Sequence, residues 1–241
     1  MADLNSVLFV LVVLFGVFVQ AAAGFGGPLI SMPIGILLVG VGLAKPVITV
    51  AALLVGITVV ISEYRQINLK ELLKMTAVML CGVVFGLWVF GTLQLTFLLI
   101  LYAVIIILIG VRRLFFPGKL RVPRFVQESA LVGAGIMQGL FVSGGSFLAV
   151  YAVDRIPEKK EFRATVNAVW AVLNLFLVGT YAFSGALTRK VLIYSAITAV
   201  PCLAGTLFAG WVAKRLSQNL FLKVVYIILI VSGVVLLISN L

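Results

Sequence analysis

Long apolar runs alternate with short polar connections along the whole chain. In the first half, the apolar runs cover residues 5–21, 28–44, 46–62, 75–93 and 95–111. In the second half, they cover residues 129–142, 144–153, 164–183, 191–213 and 220–240. Since a helix needs about 20 mostly apolar residues to cross a bilayer, this pattern predicts an all-α polytopic membrane protein with no extramembrane domain.

The composition supports this class and excludes others. Hydrophobic residues make up 63% of the 241 residues, charged residues make up 10%, and the mean hydropathy is +1.30. Soluble domains are about 45–50% apolar and 25% charged, so a soluble enzyme is excluded. The net charge of +11 does not indicate a nucleic-acid binder, because the 18 Lys and Arg residues lie in short gaps between apolar runs. The chain has no His, and we expect no metal, cofactor or catalytic site.

The chain divides into two related halves. The Pro-containing basic segment FFPGKLRVPRF at residues 115–125 is typical of a linker. We therefore predict a first repeat at 1–115, a cytoplasmic linker at 116–125 and a second repeat at 126–241. A shift of 118 positions aligns Gln20 with Gln138, Gly26 with Gly144, Gly27 with Gly145 and Lys45 with Arg163. Weak internal symmetry of this kind is typical of transporters built from repeats.

The distribution of basic residues predicts that the repeats are inverted. If the loop at 63–74 is cytoplasmic and each glycine-bearing hairpin returns to its own side, only Lys45, Arg189 and Lys190 lie outside. The basic residues then placed inside are Arg65, Lys70, Lys74, Arg112, Arg113, Lys119, Arg121, Arg124, Arg155, Lys159, Lys160, Arg163, Lys214, Arg215 and Lys223. Cytoplasmic loops carry such an excess of Lys and Arg. Each half therefore consists of a hairpin and three transmembrane helices, and both termini lie outside.

The second hairpin is predicted to be re-entrant. Its return arm, Gly144 to Val153, has ten residues before Asp154 and Arg155, or about 15 Å of helix. The hydrocarbon core is about 30 Å thick, so the tip at 143–145 should lie near the midplane. The first hairpin has longer arms, and either a re-entrant or a fully spanning geometry fits its sequence.

The tips of the two hairpins carry the candidate chemistry. They read QAAAGFGGPLISMP at 20–33 and QGLFVSGGSFLAVY at 138–151. Pro28 suits the first turn of a helix, and Ser143 or Ser146 could cap the matching helix. A helix N-terminus presents unpaired N–H groups and about half a positive charge. Two such N-termini that converge would bind an anion without a buried Lys or Arg.

Glutamine and asparagine side chains extend this candidate site. Gln20 and Gln138 could bind the substrate or tie each hairpin to a neighbouring helix, and the glycines could equally serve close helix packing. Asn174 is expected near the midplane, whereas Asn167 and its repeat mate Thr49 lie about one turn into their helices. The full candidate set for substrate binding is Gln20, Gly24, Gly26, Gly27, Thr49, Gln138, Ser143, Gly144, Gly145, Ser146, Asn167 and Asn174.

The paired motifs GFGGPLISMP and SGGSFLAVY are each followed by an Ala/Thr/Asn-rich helix, KPVITVAALL and RATVNAVWAVLN. In this respect the chain resembles the sulfite exporter TauE/SafE family over essentially its whole length. The usual run of three glycines is shortened here to Gly26-Gly27-Pro28 and Gly144-Gly145-Ser146. The resemblance implies a multi-pass protein of the plasma (inner) membrane that moves sulfite, sulfoacetate or related sulfur-containing anions.

The expected partners are a small organic or inorganic anion and the lipid bilayer, without nucleic acid, and a homodimer is left open. The predicted spans contain no central Asp or Glu, which favours anion movement without a proton relay. An inside-negative potential favours anion exit by about 2.3 kcal/mol per charge per 100 mV.

The alternatives to an anion exporter are an anion channel, an intramembrane enzyme and a non-transporting scaffold. A channel would need a continuous polar lining, and an enzyme would need a catalytic constellation.

Overall fold

The computed structural model describes residues 4–115, 123–212 and 218–241, and these residues form ten α-helices. The first half contains α1 (Leu4–Ala23), α2 (Gly27–Val39), α3 (Val41–Glu63), α4 (Leu69–Thr92) and α5 (Leu95–Phe115). The second half contains α6 (Arg124–Phe141), α7 (Gly145–Arg155), α8 (Lys159–Phe183), α9 (Arg189–Val212) and α10 (Gln218–Ile238). Most of the predicted linker, with Lys119 and Arg121, and the segment with Lys214 and Arg215 lie outside the described residues.

The all-helical membrane class is confirmed. Within the described residues, five helices are long and apolar enough to cross a bilayer, namely α1, α3, α4, α5 and α8. Large apolar side chains on these helices face outward, including Trp88, which is 63% exposed, and Phe97, which is 55% exposed. Such surfaces suit a lipid environment, because an exposed apolar patch of this extent is rare in soluble monomers.

Local sequence explains where the helices begin and end. The side chains of Asn68 and Glu158 each accept a hydrogen bond from a backbone N–H three residues later, which caps α4 and α8. Gly40, at φ 76°, separates α2 from α3. The apolar runs predicted this break at Lys45 and were wrong, because Lys45 and Pro46 lie inside α3. Pro46 is the sixth residue of α3, beyond the first turn, so its missing N–H leaves out one intrahelical hydrogen bond.

The helices of the two halves pack against one another in matching pairs. The arms of each hairpin are in contact, α1 with α2 and α6 with α7. Helix α1 packs on α9 of the other half, as α6 packs on α4. Helix α3 packs on α8, and α5 packs on α10. If each helix is replaced by its counterpart in the other half, the α1–α2 contact becomes α6–α7 and the α1–α9 contact becomes α6–α4. The α3–α8 and α5–α10 contacts are unchanged by this exchange.

Candidate functional site

Left-handed backbone positions break the helices at both hairpin tips. In the first tip, Gly24 and Gly26 have φ of 85° and 93°. In the second, Val142 has φ 56° and ψ 24° at the C-terminus of α6. Val142 is 118 positions after Gly24, so both tips turn at the same place in the repeat. A β-branched residue rarely adopts this conformation, and for that reason only the glycines pointed to the break.

The return arms are short. Helix α2 has 13 residues and α7 has 11, or about 20 Å and 17 Å of helix. The Gln127 amide near the start of α6 donates a hydrogen bond of 3.0 Å to Asp154 near the end of α7. The second hairpin therefore begins and ends at the same end of the helix bundle.

The tips of the two hairpins touch each other. A Cβ atom built on Gly145 would lie 3.3 Å from the backbone nitrogen of Gly26 and 3.3 Å from Cβ of Phe25. The first intrahelical hydrogen bonds of the return arms are Ile30 N–H to Gly26 O and Leu148 N–H to Gly144 O. The N–H groups of the preceding first turns have no intrahelical acceptor. Both helix N-termini thus present polar backbone at one place.

A narrow cavity lies at this contact. It encloses about 260 Å³ of space between atoms, counting its open mouth, and it is lined by Gln20, Phe25, Gly26, Pro28, Leu29, Ala52, Gln138, Val142, Ser143, Gly145, Trp170 and Asn174. Ala52 and Trp170 lie halfway along α3 and α8. A second cavity, between α1, α2 and α3, shares Gln20, Pro28 and Ala52 with the first.

The cavity contains half of the predicted site residues. Gln20, Gly26, Gln138, Ser143, Gly145 and Asn174 line it. Both glutamines also tie a hairpin to a long helix: Gln20 donates to Ala52 O at 3.3 Å, and Gln138 donates to Asn174 Oδ1 at 2.8 Å. The two roles that the sequence left open for these amides are therefore compatible.

The remaining predicted residues do not line the cavity. Gly27 lines the second cavity, and a Cβ on it would lie 2.3 Å from Gly16 O. A Cβ on Gly144 would lie 2.2 Å from Ala134 O. These two glycines therefore serve close packing of the hairpin arms. A Cβ on Gly24 would lie 3.3 Å from the Arg163 Cα atom.

Thr49 and Asn167 have matching roles outside the cavity. Each donates a hydrogen bond from its side chain to the carbonyl four residues earlier, of Lys45 and Arg163 respectively. The Asn167 side-chain oxygen is buried and has no hydrogen-bond partner among the residues that the structure describes.

The predicted serine cap of α7 is wrong. The N-cap residue is Gly144, which has no side chain, and neither serine takes that position. The Ser143 hydroxyl bonds instead with the Tyr102 hydroxyl at 2.7 Å and donates to Phe141 O at 2.9 Å. The Gly144 N–H donates a long hydrogen bond of 3.5 Å to Gln138 Oε1. The Ser146 side chain is buried and does not line the cavity.

Sequence reasoning missed two features of the site. Trp170, which was not among the predicted site residues, forms part of the cavity wall. Tyr102 is fully buried and holds Ser143. Its signal was the single tyrosine in the apolar run at 95–111, whose hydroxyl had no assigned partner in the sequence.

The fold and the site define a multi-pass membrane protein with two broken helical hairpins that meet inside a bundle. The chain belongs to the sulfite exporter TauE/SafE family, whose model matches residues 8–236. This confirms the resemblance seen in the glycine motifs and assigns the chain to a family of membrane transporters. Comparison with curated proteins and with solved structures gave no match.

Proposed function

We propose that the protein exports small sulfur-containing anions, such as sulfite or sulfoacetate, and binds them between the two hairpin tips. The observation that carries this proposal is the close approach of the two tips, where a Cβ built on Gly145 would lie 3.3 Å from Gly26 N. It brings the N-termini of α7 and α2 to one cavity, where their N–H groups and dipoles favour a negative ligand. Family membership supports the substrate class.

The proposal assigns different tasks to the residues around the cavity. Backbone N–H groups at Gly145 and Gly26 face anionic oxygens, while the Gln20 and Gln138 amides donate from opposite sides. Trp170 and Phe25 exclude water from the rest of the surface. The cavity is narrow, so loading an anion with several oxygens requires the tips to separate.

We further propose that the two halves are inverted repeats, with both tips near the midplane and both termini outside. The exchange of helix contacts between halves supports the repeat. Contacts among Lys74, Glu128 and Arg155 place the starts of α4 and α6 and the end of α7 at one end of the bundle. The positive-inside rule assigns that end to the cytoplasm.

Purified protein in proteoliposomes tests the proposal. With an inside-negative potential, we expect saturable exit of sulfite or sulfoacetate that empty liposomes lack. The same anion should raise the melting temperature of the detergent-solubilised protein, because it binds only the folded state. If sulfite, sulfoacetate, sulfate and carboxylates give neither flux nor a thermal shift, the proposed function is wrong. Flux that does not saturate would favour the channel alternative.

A further inference from the structure

The proposed anion site lies beside two helix C-termini, whose partial negative charge disfavours a bound anion. Helices α1 and α6 end at Ala23 and Phe141, immediately before the tips. The last carbonyls of a helix lack intrahelical donors and carry about half a negative charge together. Uncompensated, these two C-termini would oppose the positive N-termini of α2 and α7 at the same cavity.

Each C-terminus is capped by a cation from the other half of the chain. Lys45 Nζ donates to Gly139 O at 2.8 Å, and Arg163 Nη1 donates to Ala21 O at 3.2 Å. Both acceptors directly follow the cavity glutamines, and both donors are the fifth residue of their helices, α3 and α8. Donors and acceptors are each separated by 118 positions in the sequence. The two caps are therefore equivalent contacts in the two halves.

Neighbouring carbonyls are occupied by neutral donors. Gly24 N–H bonds to Gln20 O at 2.8 Å, and Val142 N–H bonds to Gln138 O at 3.0 Å. These bonds satisfy the carbonyls without adding charge. Lys45 and Arg163 are thus the groups that can change the sign of the potential at the two helix ends.

The two caps differ in net charge. Arg163 forms a salt bridge with Glu63, with Nε 3.2 Å from Oε2 and a second contact between Nη2 and Oε1. Lys45 is only 4% exposed and has no carboxylate within ion-pair distance among the residues that the structure describes. Its ammonium lies 3.6 Å from the centre of the Phe90 ring instead. The Arg163 cap therefore includes a carboxylate counterion, whereas the Lys45 cap has none among the described residues.

We infer that Lys45 is a positioning residue that makes the cavity electropositive by cancelling the C-terminal dipole of α6, and that Glu63 limits the same effect at α1. This inference rests on the proposed function, since it explains how that site attracts an anion. Lys45 acts through the end of α6 and is not a lining residue of the cavity. Its charge, and not only its hydrogen bond, should govern anion affinity.

The test compares Lys45→Gln, Lys45→Arg and Glu63→Gln with the wild type. Sulfite is the probe, and KM and kcat for flux are measured together with sulfite binding by calorimetry. Lys45→Gln retains a donor but removes the charge, so KM should rise about tenfold. Lys45→Arg should restore a KM close to that of the wild type. Glu63→Gln should lower KM several-fold, because it leaves Arg163 with an unbalanced charge.

KM is expected to rise for Lys45→Gln and to fall for Glu63→Gln. These opposite changes distinguish an electrostatic role of the two residues from a purely structural one. If Lys45→Gln does not fold, the Glu63→Gln result still decides the matter. A rise in KM for Glu63→Gln, or equal losses for Lys45→Gln and Lys45→Arg, would overturn the inference and leave both cations as structural caps. Normal wild-type flux with unchanged KM in all variants would refute this inference alone. Absence of sulfite binding and of flux in the wild type would refute both this inference and the proposed function.

Discussion

The side-chain amide of Gln138 donates a 2.8 Å hydrogen bond to Asn174 Oδ1, and both residues line the cavity at the hairpin tips. This bond fixes the second hairpin against α8. Replacing Asn174 with Leu leaves the buried amide of Gln138 without its acceptor, which costs about 1–3 kcal/mol. We expect anion flux to fall about 5- to 10-fold for Asn174→Leu and for Gln138→Leu.

A double-mutant cycle distinguishes this pair from two independent residues. The double variant should transport no more slowly than the slower single variant, because both changes remove the same bond. Thr180→Val is a matched control on α8, since the Thr180 hydroxyl donates to Leu177 O and Thr180 does not line the cavity. Multiplicative losses in the double variant would show that Gln138 and Asn174 act separately.

Exchanging glycine and valine at the left-handed positions of the two tips should affect the melting temperature differently at each tip. Val142 and Gly24 occupy the same repeat position, with φ of 56° and 85°. Val142→Gly relieves strain of about 1–3 kcal/mol, which offsets the greater chain entropy of glycine, so the melting temperature should not fall. Gly24→Val adds strain and brings a Cβ within 3.3 Å of the Arg163 backbone, so the melting temperature should fall by several degrees.

Differential scanning fluorimetry of the two variants in detergent checks this prediction. A clear loss of stability in Val142→Gly, with none in Gly24→Val, would mean that the left-handed backbone is not what holds the tips.

Membrane topology follows from the charge distribution and from contacts between helix ends. Tyr194 OH, near the start of α9, donates to Ser6 Oγ near the start of α1 at 2.5 Å, so these two helices begin at the same end. We expect a cysteine at Arg189 to react with an impermeant thiol reagent only from outside. A cysteine at Lys159 should react only from the cytoplasm.

The labelling needs a background in which Cys81 and Cys202 are replaced by alanine. Lys119 lies outside the described residues, and its cytoplasmic position is predicted from charge alone. Labelling of Arg189 and Lys159 positions from the same side would contradict the inverted arrangement of the two halves.

Much of the fold could be predicted from the sequence because apolar runs and glycine breaks act locally. The return arm after Ser143 was correctly predicted to be short, since charged residues follow it within about ten positions. The break between α2 and α3 was misplaced because Lys45 and Pro46 looked like a connection. Lys45 is buried instead, and its burial depends on a carbonyl and an aromatic ring that are distant in sequence.

The candidate site was only partly predictable for the same reason. Gln138 and Asn174 were identified separately, but their contact depends on how α6 packs near α8. Gly27 and Gly145 are equivalent in sequence, yet a Cβ on Gly27 would meet the backbone of α1, whereas a Cβ on Gly145 would meet the first tip. Residue type alone therefore could not separate a packing glycine from a glycine at the cavity.

The most direct test of the anion site is proteoliposome flux of sulfite and sulfoacetate through Gly145→Val at a set inside-negative potential. The valine side chain would fill the space between the tips, because its Cβ alone would lie 3.3 Å from Gly26 N. Gly179→Val is the matched control, because a Cβ there would meet no atom of the described residues within 4 Å. We predict that Gly145→Val reaches the membrane and binds no sulfite, with flux reduced more than tenfold, and that Gly179→Val behaves as the wild type. Normal flux through folded Gly145→Val would show that the tips do not bind the anion and would contradict the account.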